Sequence, residues 1–362
     1  MASMATSITY RLTKPGVFEE ININRSVEDG FVVVEPMIVS VCHADIRYFT
    51  GNRRKEALES KLPMALFHEG VGKIVESKDA DYKIGDRVII IPTIPGYVLE
   101  QKEKSGCCNS CKRGGPDNYC ENGVFLGSGY DGIGQSRLVL PSQNVIRIPN
   151  NISNEIAVLA ELCSVSLYAI NQLSLDELEK YPVAVFGDGP VGFLTAAMLH
   201  YYCNVPQERL IVFGAVENKL AEFDFATTYN IRDYDFTKQT DIHTVFECTG
   251  GPFSESAINQ AIDIIARNGN LSLLGVTEER VPINTRDILE KGIKVFGSSR
   301  STYNEFSLLM QVLQNENLQK TLAKLIPKQN DPITDVTTLT DAMNRVVENK
   351  GWKRTYLSFK WE

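Results

Sequence analysis

No apolar run in this chain approaches the ~20 residues needed to cross a bilayer as a helix, so a spanning helix is not expected. Positive charge is also in short supply. Lys and Arg number 37 against 45 Asp and Glu, which leaves a net charge of −8 and a pI near 5.3. That balance argues against a nucleic-acid-binding protein, and an anionic substrate would need a local basic pocket. The opening residues Met1-Ala2-Ser3-Met4-Ala5-Thr6-Ser7 lack the charged and apolar regions of a secretory signal, and a cytoplasmic location is the expectation. Internal repeats and low-complexity segments are missing as well, beyond an alternation of strand-like and helix-like stretches.

What is present is ordinary globular material: 362 residues, 43% hydrophobic and 23% charged, enough for about two domains with a core each. Eight cysteines are present, and four of them crowd between Cys107 and Cys120. Without a secretory signal, that crowding reads as metal binding rather than a disulfide framework.

The stretch from Leu62 to Gly72 places His68 beside Glu69, after an apolar run and before glycines. Adjacent ligands cannot share one face of a strand or helix, so a turn is expected there. Upstream, the β-branched run 31–42 ends at Cys42, followed by His43, Asp45, Arg47 and Tyr48. Segments 71–76 and 87–92 read as further strands around the turn Lys83-Ile84-Gly85-Asp86, which makes the first 152 residues a β-rich module. Within its cysteine lobe, Cys108, Cys111 and Cys120 are the expected ligands of a structural zinc. Cys107 is an awkwardly adjacent fourth, and a surface loop with free thiols is the alternative.

Residues 155–169 form a helical, mostly apolar stretch that carries Glu161, either on its polar face or as a ligand. A second half, 153–297, starts with the buried-type strand 183–186. Gly187, Gly189 and Gly192 follow it with Pro190 and Val191 between, then an apolar helix and a second strand, 210–214. Strand, glycines and helix together fit a dinucleotide. The first glycine allows the tight turn, the second admits the pyrophosphate, and the third lets helix and strand pack closely. The acid that bonds a ribose 2′-hydroxyl is expected at the end of the second strand, where Gly214 stands instead. With Lys219 nearby, NADPH is expected over NADH, unless Glu217 takes the acid's place. Strands at 244–250, 271–276 and 293–297, with a helix over 254–266, complete a doubly wound parallel sheet. A helical tail over 304–350 and a strand at 356–360 are expected to return to the first domain, giving it 298–362 as well.

On these residues, the chain resembles the zinc-dependent medium-chain alcohol and polyol dehydrogenases over nearly its whole length. Particular matches are Cys42-His43-Ala44-Asp45 with Arg47, Tyr48 and Arg53, Lys61-Leu62-Pro63-Met64, Asn284-Thr285-Arg286 and Gly297-Ser298-Ser299-Arg300-Ser301. They are most similar to the ribulose-5-phosphate reductases of teichoic-acid and capsule synthesis. The resemblance implies a GroES-like catalytic domain beside a Rossmann domain. It implies a catalytic zinc on Cys42, His68, Glu69 and Glu161, and NADPH as hydride donor. It also implies a homodimer working beside a cytidylyltransferase, with ribitol 5-phosphate as product. Arg47, Arg53, Lys61 and Arg300 are then candidates for the substrate phosphate. Ala44 replaces the Ser or Thr of the usual proton relay, which leaves Tyr48, His43 or a water to carry the proton. Ser105 stands where the lobe's first ligand falls. Two rival expectations are an NAD-dependent dehydrogenase of unphosphorylated polyols and a zinc-less dinucleotide-binding protein.

Overall fold

The computed structural model describes residues 3–238, 240–349 and 351–361. Met1, Ala2, Gln239, Lys350 and Glu362 lie outside them, so the end of the expected helical tail is not described. The chain forms two compact units.

The first unit holds residues 1–161, 301–315 and 325–362. Its organising strand is Phe31–Ser40, whose Val and Ile residues are buried on both faces. It pairs antiparallel with Glu69–Ser77 along one edge, and with Leu138–Pro141 and the returning strand Tyr356–Phe359 along the other. The register puts Ser40 opposite Glu69 on one side and opposite Tyr356 on the other. Because side-chain direction alternates along a strand, this register sets which side chains meet beyond Ser40. A hairpin of Ser3–Lys14 and Val17–Val27 turns through Pro15-Gly16, with Gly16 at a positive φ that suits glycine. Helix Val336–Glu348 lays Leu339, Ala342, Met343 and Val346 onto the core.

The second unit holds residues 162–300 and 316–324. Its six strands are all parallel, in the spatial order Thr227–Asn230, Leu210–Gly214, Val183–Phe186, Ile242–Glu247, Ile265–Leu273, Lys294–Gly297. Numbered along the chain, that order is 3-2-1-4-5-6, the doubly wound dinucleotide-binding arrangement. Helix Pro190–Tyr201 follows the first strand, with proline at its start where a missing N–H costs nothing.

Some boundaries differ from those read along the sequence. The first unit extends to Glu161 rather than 152, because this segment is fastened to it. Arg87 donates to Asn154 at 2.8 Å, and Tyr356 donates to the carbonyl of Glu155 at 2.9 Å. Residues 316–324, assigned by sequence to the returning tail, belong to the second unit. There Tyr201 meets Thr321 at 2.8 Å and Lys324 meets Asp224 at 2.8 Å. The helical stretch 155–169 is two helices, Asn154–Ala157 and Ala160–Ile170. The tail carries a short strand, Asp331–Ile333, between its helices.

Candidate active site

Cys42 ends the organising strand's extension and caps helix His43–Thr50. Its backbone N–H donates to Asp45 Oδ2 at 2.9 Å. The other oxygen of Asp45 accepts from the N–H of Phe67 at 3.0 Å. One fully buried carboxylate therefore ties the segment bearing Cys42 to the segment bearing His68. Phe67 adopts a left-handed conformation, unusual for a bulky residue. This is the turn that the adjacency of His68 and Glu69 calls for. The segment is clamped from its other side by a glycine-rich loop, in which Ile133 donates to the carbonyl of Phe67 and Gly134 to that of Leu66. A Cβ at Gly132 would lie 2.3 Å from the Phe67 carbonyl oxygen, so only glycine allows this approach.

The ligand atoms of Cys42, His68 and Glu69 lie within 4.8 Å of one another. His68 and Glu69 are buried, and Cys42 is partly accessible. Arg354, from the returning C-terminal segment, forms a buried ion pair with Glu69 and donates to Ser40 Oγ at 2.9 Å. The second carboxylate oxygen of Glu69, Oε1, is buried with no hydrogen-bond partner among the described residues. An uncommitted buried carboxylate oxygen beside a thiol and an imidazole is a donor set suited to zinc. Glu161, the fourth ligand the resemblance implies, is buried at the start of its helix and interacts electrostatically with His68, Glu69, Arg354 and Asp45, but the group whose ligand atoms lie within 4.8 Å is Cys42, His68 and Glu69.

The electrostatics follow from this crowding. Burial pushes the Glu161 carboxyl up to about 7, with Glu69 and Asp45 adding to the rise. Burial also raises the Cys42 thiol, and Glu69 adds to that. For His68 burial opposes the charged form, but Cys42, Asp45 and Glu161 outweigh it and raise its pKa well above the usual imidazole value. Such a cluster of potential anions draws positive charge, and a divalent cation satisfies it in the way a proton does.

A second group stands on the same unit. Tyr48, fully buried on helix His43–Thr50, approaches Ser128 Oγ at 3.3 Å. Lys61 Nζ donates to the same hydroxyl at 2.9 Å. The Arg53 guanidinium lies 4.6 Å from the Tyr48 ring centroid, a cation–π distance. Of the sequence candidates, Tyr48, Arg53 and Lys61 are thus brought together. Arg47 is half-buried on the same helix, and His43 is exposed at its first turn. Arg300 belongs to the second unit.

The cysteine lobe brings four thiols together. Cys107, Cys108, Cys111 and Cys120 have their sulfurs within 4.8 Å of one another. Cys107–Cys120 and Cys111–Cys120 are 3.7 and 3.6 Å apart. Zinc–thiolate bonds of ~2.3 Å in a tetrahedron put sulfurs ~3.8 Å apart, so the spacing fits a zinc site made of four cysteines. The three expected ligands are joined by Cys107, the awkwardly adjacent fourth, which follows a 3-10 turn at Lys104–Gly106. N–H donation from Cys111 is the main cause that lowers the Cys108 thiol to about 6, which favours the metal-binding thiolate.

In the second unit, the glycines occupy the positions the fingerprint requires. A Cβ at Gly192 would lie 2.0 Å from the Gly187 carbonyl oxygen, so helix and strand pack only through glycine. At Gly189 a Cβ would meet no protein atom, which leaves the backbone open to a phosphate, with Pro190 and Val191 starting the helix behind it. The absence of an acid at this end needs a second correction. Asp188 accepts from the N–H groups of Ala215 and Val216 at 2.7 and 2.8 Å, and Lys219 lies 4.0 Å away. Glu217 is bonded to Asn230 instead.

Sequence reading misses Arg354, Ser128 and Asp188, and gives Asp45 no role. Arg354 and Ser128 sit in segments with no motif, whereas Asp188 is hidden at a variable position of a recognised one.

Known proteins agree with this geometry. Residues 28–150 match the alcohol dehydrogenase GroES-like domain, and residues 220–315 match the zinc-binding dehydrogenase family. The chain is 34% identical to ribulose-5-phosphate reductase 1 of Staphylococcus aureus, over 97% of this chain and 98% of that one. The Bacillus spizizenii ribulose-5-phosphate reductase is 32% identical, over 98% of each chain. The crystal structure of S. aureus TarJ in complex with NADPH superposes with a TM-score of 0.81 at 30% identity, covering 98% of this chain and 100% of that one. With its GroES-like unit, its parallel coenzyme sheet and its Cys-His-Glu cluster, the chain belongs to the zinc-dependent medium-chain dehydrogenases.

Proposed function

We propose that this dehydrogenase reduces D-ribulose 5-phosphate to D-ribitol 5-phosphate with NADPH. The observation that carries the reading is the pairing of two fixed cations, Lys61 and Arg53, around Tyr48 and Ser128 on the unit that holds the ligand cluster. Full-length similarity to ribulose-5-phosphate reductases supports it.

Cys42, His68 and Glu69 would hold the zinc, with Glu161 facing it. Zinc when bound supplies a Lewis acid for the ketone oxygen, and the reduced dinucleotide supplies the hydride. The chain's own residues do the rest. Arg53 and Lys61 bind the phosphate, the guanidinium as a fork and the ammonium as a point charge. Tyr48 Oη gives its proton to the oxygen as negative charge develops, and the partly accessible Ser128 hydroxyl passes one on to the phenol as it takes one from solvent water. That hydroxyl pair stands in for the relay that Ala44 lacks. Arg354 orients Glu69 through their buried ion pair. The edge strand Lys294–Gly297, half-exposed and unpaired on one side among the described residues, supports a homodimer built through the coenzyme sheets.

The test is NADPH oxidation with D-ribulose 5-phosphate, beside D-ribulose, fructose and D-xylulose 5-phosphate, with and without a chelator. Fast turnover of ribulose 5-phosphate alone, lost on chelation, is expected. Preferred turnover of unphosphorylated sugars would overturn the phosphate assignment. A second reading, a polyol dehydrogenase using NAD(H), is favoured by one observation, the carboxylate of Asp188 at the end of the second coenzyme strand.

A further inference from the structure

The coenzyme unit carries its acid in an unaccustomed place. In doubly wound domains a carboxylate at the end of the second strand ordinarily bonds the ribose 2′-hydroxyl. That strand here, Leu210–Gly214, ends in glycine. The carboxylate comes from Asp188, the residue between the first two fingerprint glycines. Its Oδ2 accepts from the N–H groups of Ala215 at 2.7 Å and Val216 at 2.8 Å, the first two amides beyond the strand. Lys219 Nζ stands 4.0 Å from Oδ1. Gly214 explains the exchange. A Cβ there would lie 2.7 Å from Asp188 Cβ and 2.9 Å from its Oδ2, so an acid at 214 and Asp188 in this position exclude one another. Glu217, the other nearby acid, is held by Asn230.

Two convergent amides and an ammonium form a seat for an anion, and Asp188 sits in it, its side chain 15% exposed. A 2′-phosphate is an anion of the same kind and seeks the same donors. We propose that Asp188 is the residue that sets the ratio of NADPH to NADH binding. Its carboxylate is the acceptor for the 2′-hydroxyl of NADH, and it must leave the Ala215 and Val216 amides before a 2′-phosphate can take them. Lys219 serves both cases, neutralising Asp188 when NADH is bound and pairing the phosphate when NADPH is bound. The proposal rests on the coenzyme part of the function proposed above and is independent of the sugar.

The experiment is an equilibrium titration of the full chain with NADPH and NADH, read by nicotinamide fluorescence without sugar. Wild type is compared with D188A, D188N and K219M. Removing one like charge within ~4 Å of a phosphate is worth about tenfold in affinity. D188A should therefore raise the NADPH-to-NADH affinity ratio about tenfold, and D188N should move it the same way by less. K219M should weaken NADPH more than NADH. A ratio unchanged within about twofold in both Asp188 variants, or shifted toward NADH, overturns the proposal. So does loss of both coenzymes in D188A with D188N indistinguishable from wild type, which would make Asp188 only a support of the turn. Failure of ribulose 5-phosphate turnover with these ratios shifting as stated sinks the sugar assignment alone.

Discussion

Arg354 and Glu69, 285 positions apart in the chain, form an ion pair in the interior of the first unit, with side chains only 7% and 0% exposed. The pair commits one oxygen of the carboxylate and leaves Oε1 for a metal. Removing the arginine strands a buried negative charge, which costs about 3–5 kcal/mol. Arg354→Met is expected to lower the urea-unfolding stability of the chelated protein by that amount. Adding Glu69→Leu should restore most of it, because two charges then leave together. A single variant within about 1 kcal/mol of wild type would show that the carboxylate is compensated by something other than Arg354.

Gly132 tests the clamp on the ligand turn. Since its Cβ would stand 2.3 Å from the Phe67 carbonyl oxygen, Gly132→Ala must displace the backbone that aims His68. Misplacement of a site group by about 1 Å costs on the order of 100-fold in rate. The variant should lose about that much in kcat while remaining folded by circular dichroism. Unchanged kcat would mean that the glycine loop yields and His68 does not.

Glu161 gives the metal-free chain a pH dependence with a definite sign. Its carboxyl rises from 4.5 to about 7 on folding, burial being the main cause. The folded state thus holds a proton that the unfolded state has released. The associated stability is complete below about pH 4.5 and is lost as pH rises through about 7. Denaturation of chelated wild type and Glu161→Gln across that window checks it. The difference between the two proteins should change with pH in this direction, and a constant difference would contradict the shift.

The four-sulfur lobe predicts zinc stoichiometry. Mass-spectrometric metal analysis should find two zinc ions per wild-type chain, one for each ligand cluster. Cys107→Ser should lose the lobe's ion preferentially and keep the one at Cys42. Cys42→Ser should do the reverse. Full occupancy of the lobe in Cys107→Ser would mean that three thiolates and a water suffice there.

How far the chain can be read in advance depends on where its information lies. The coenzyme sheet is legible because glycine spacing, strand runs and helix runs all follow from steric and hydrophobic rules local to a few residues. Cys42, His68 and Glu69 are legible as a ligand set through their resemblance to a known family. Arg354 is not, since its meaning depends on a strand pairing between Val39 and Leu357 that no local pattern announces. Cys107 reads as an awkward fourth beside Cys108, and only the folded lobe brings its sulfur within 4.8 Å of the other three. Ser128 lies in a glycine-rich loop whose course is decided by contacts with Leu66 and Phe67, far away in sequence. Asp188 reads as a filler between glycines, and only the approach of Gly214 reveals its role.

The pairing of Tyr356–Phe359 with Phe31–Ser40 also orders events during synthesis. A ribosome delivers Cys42, His68 and Glu69 together, but Arg354 follows hundreds of residues later. Until it arrives, the strand end at Ile38–Ser40 keeps bare hydrogen-bonding groups, and Glu69 lacks its counter-ion. The nascent pocket is therefore unfinished while the coenzyme unit is being made. Any fusion or truncation that hinders strand Tyr356–Phe359 acts on the zinc cluster, although that strand contains none of its ligands.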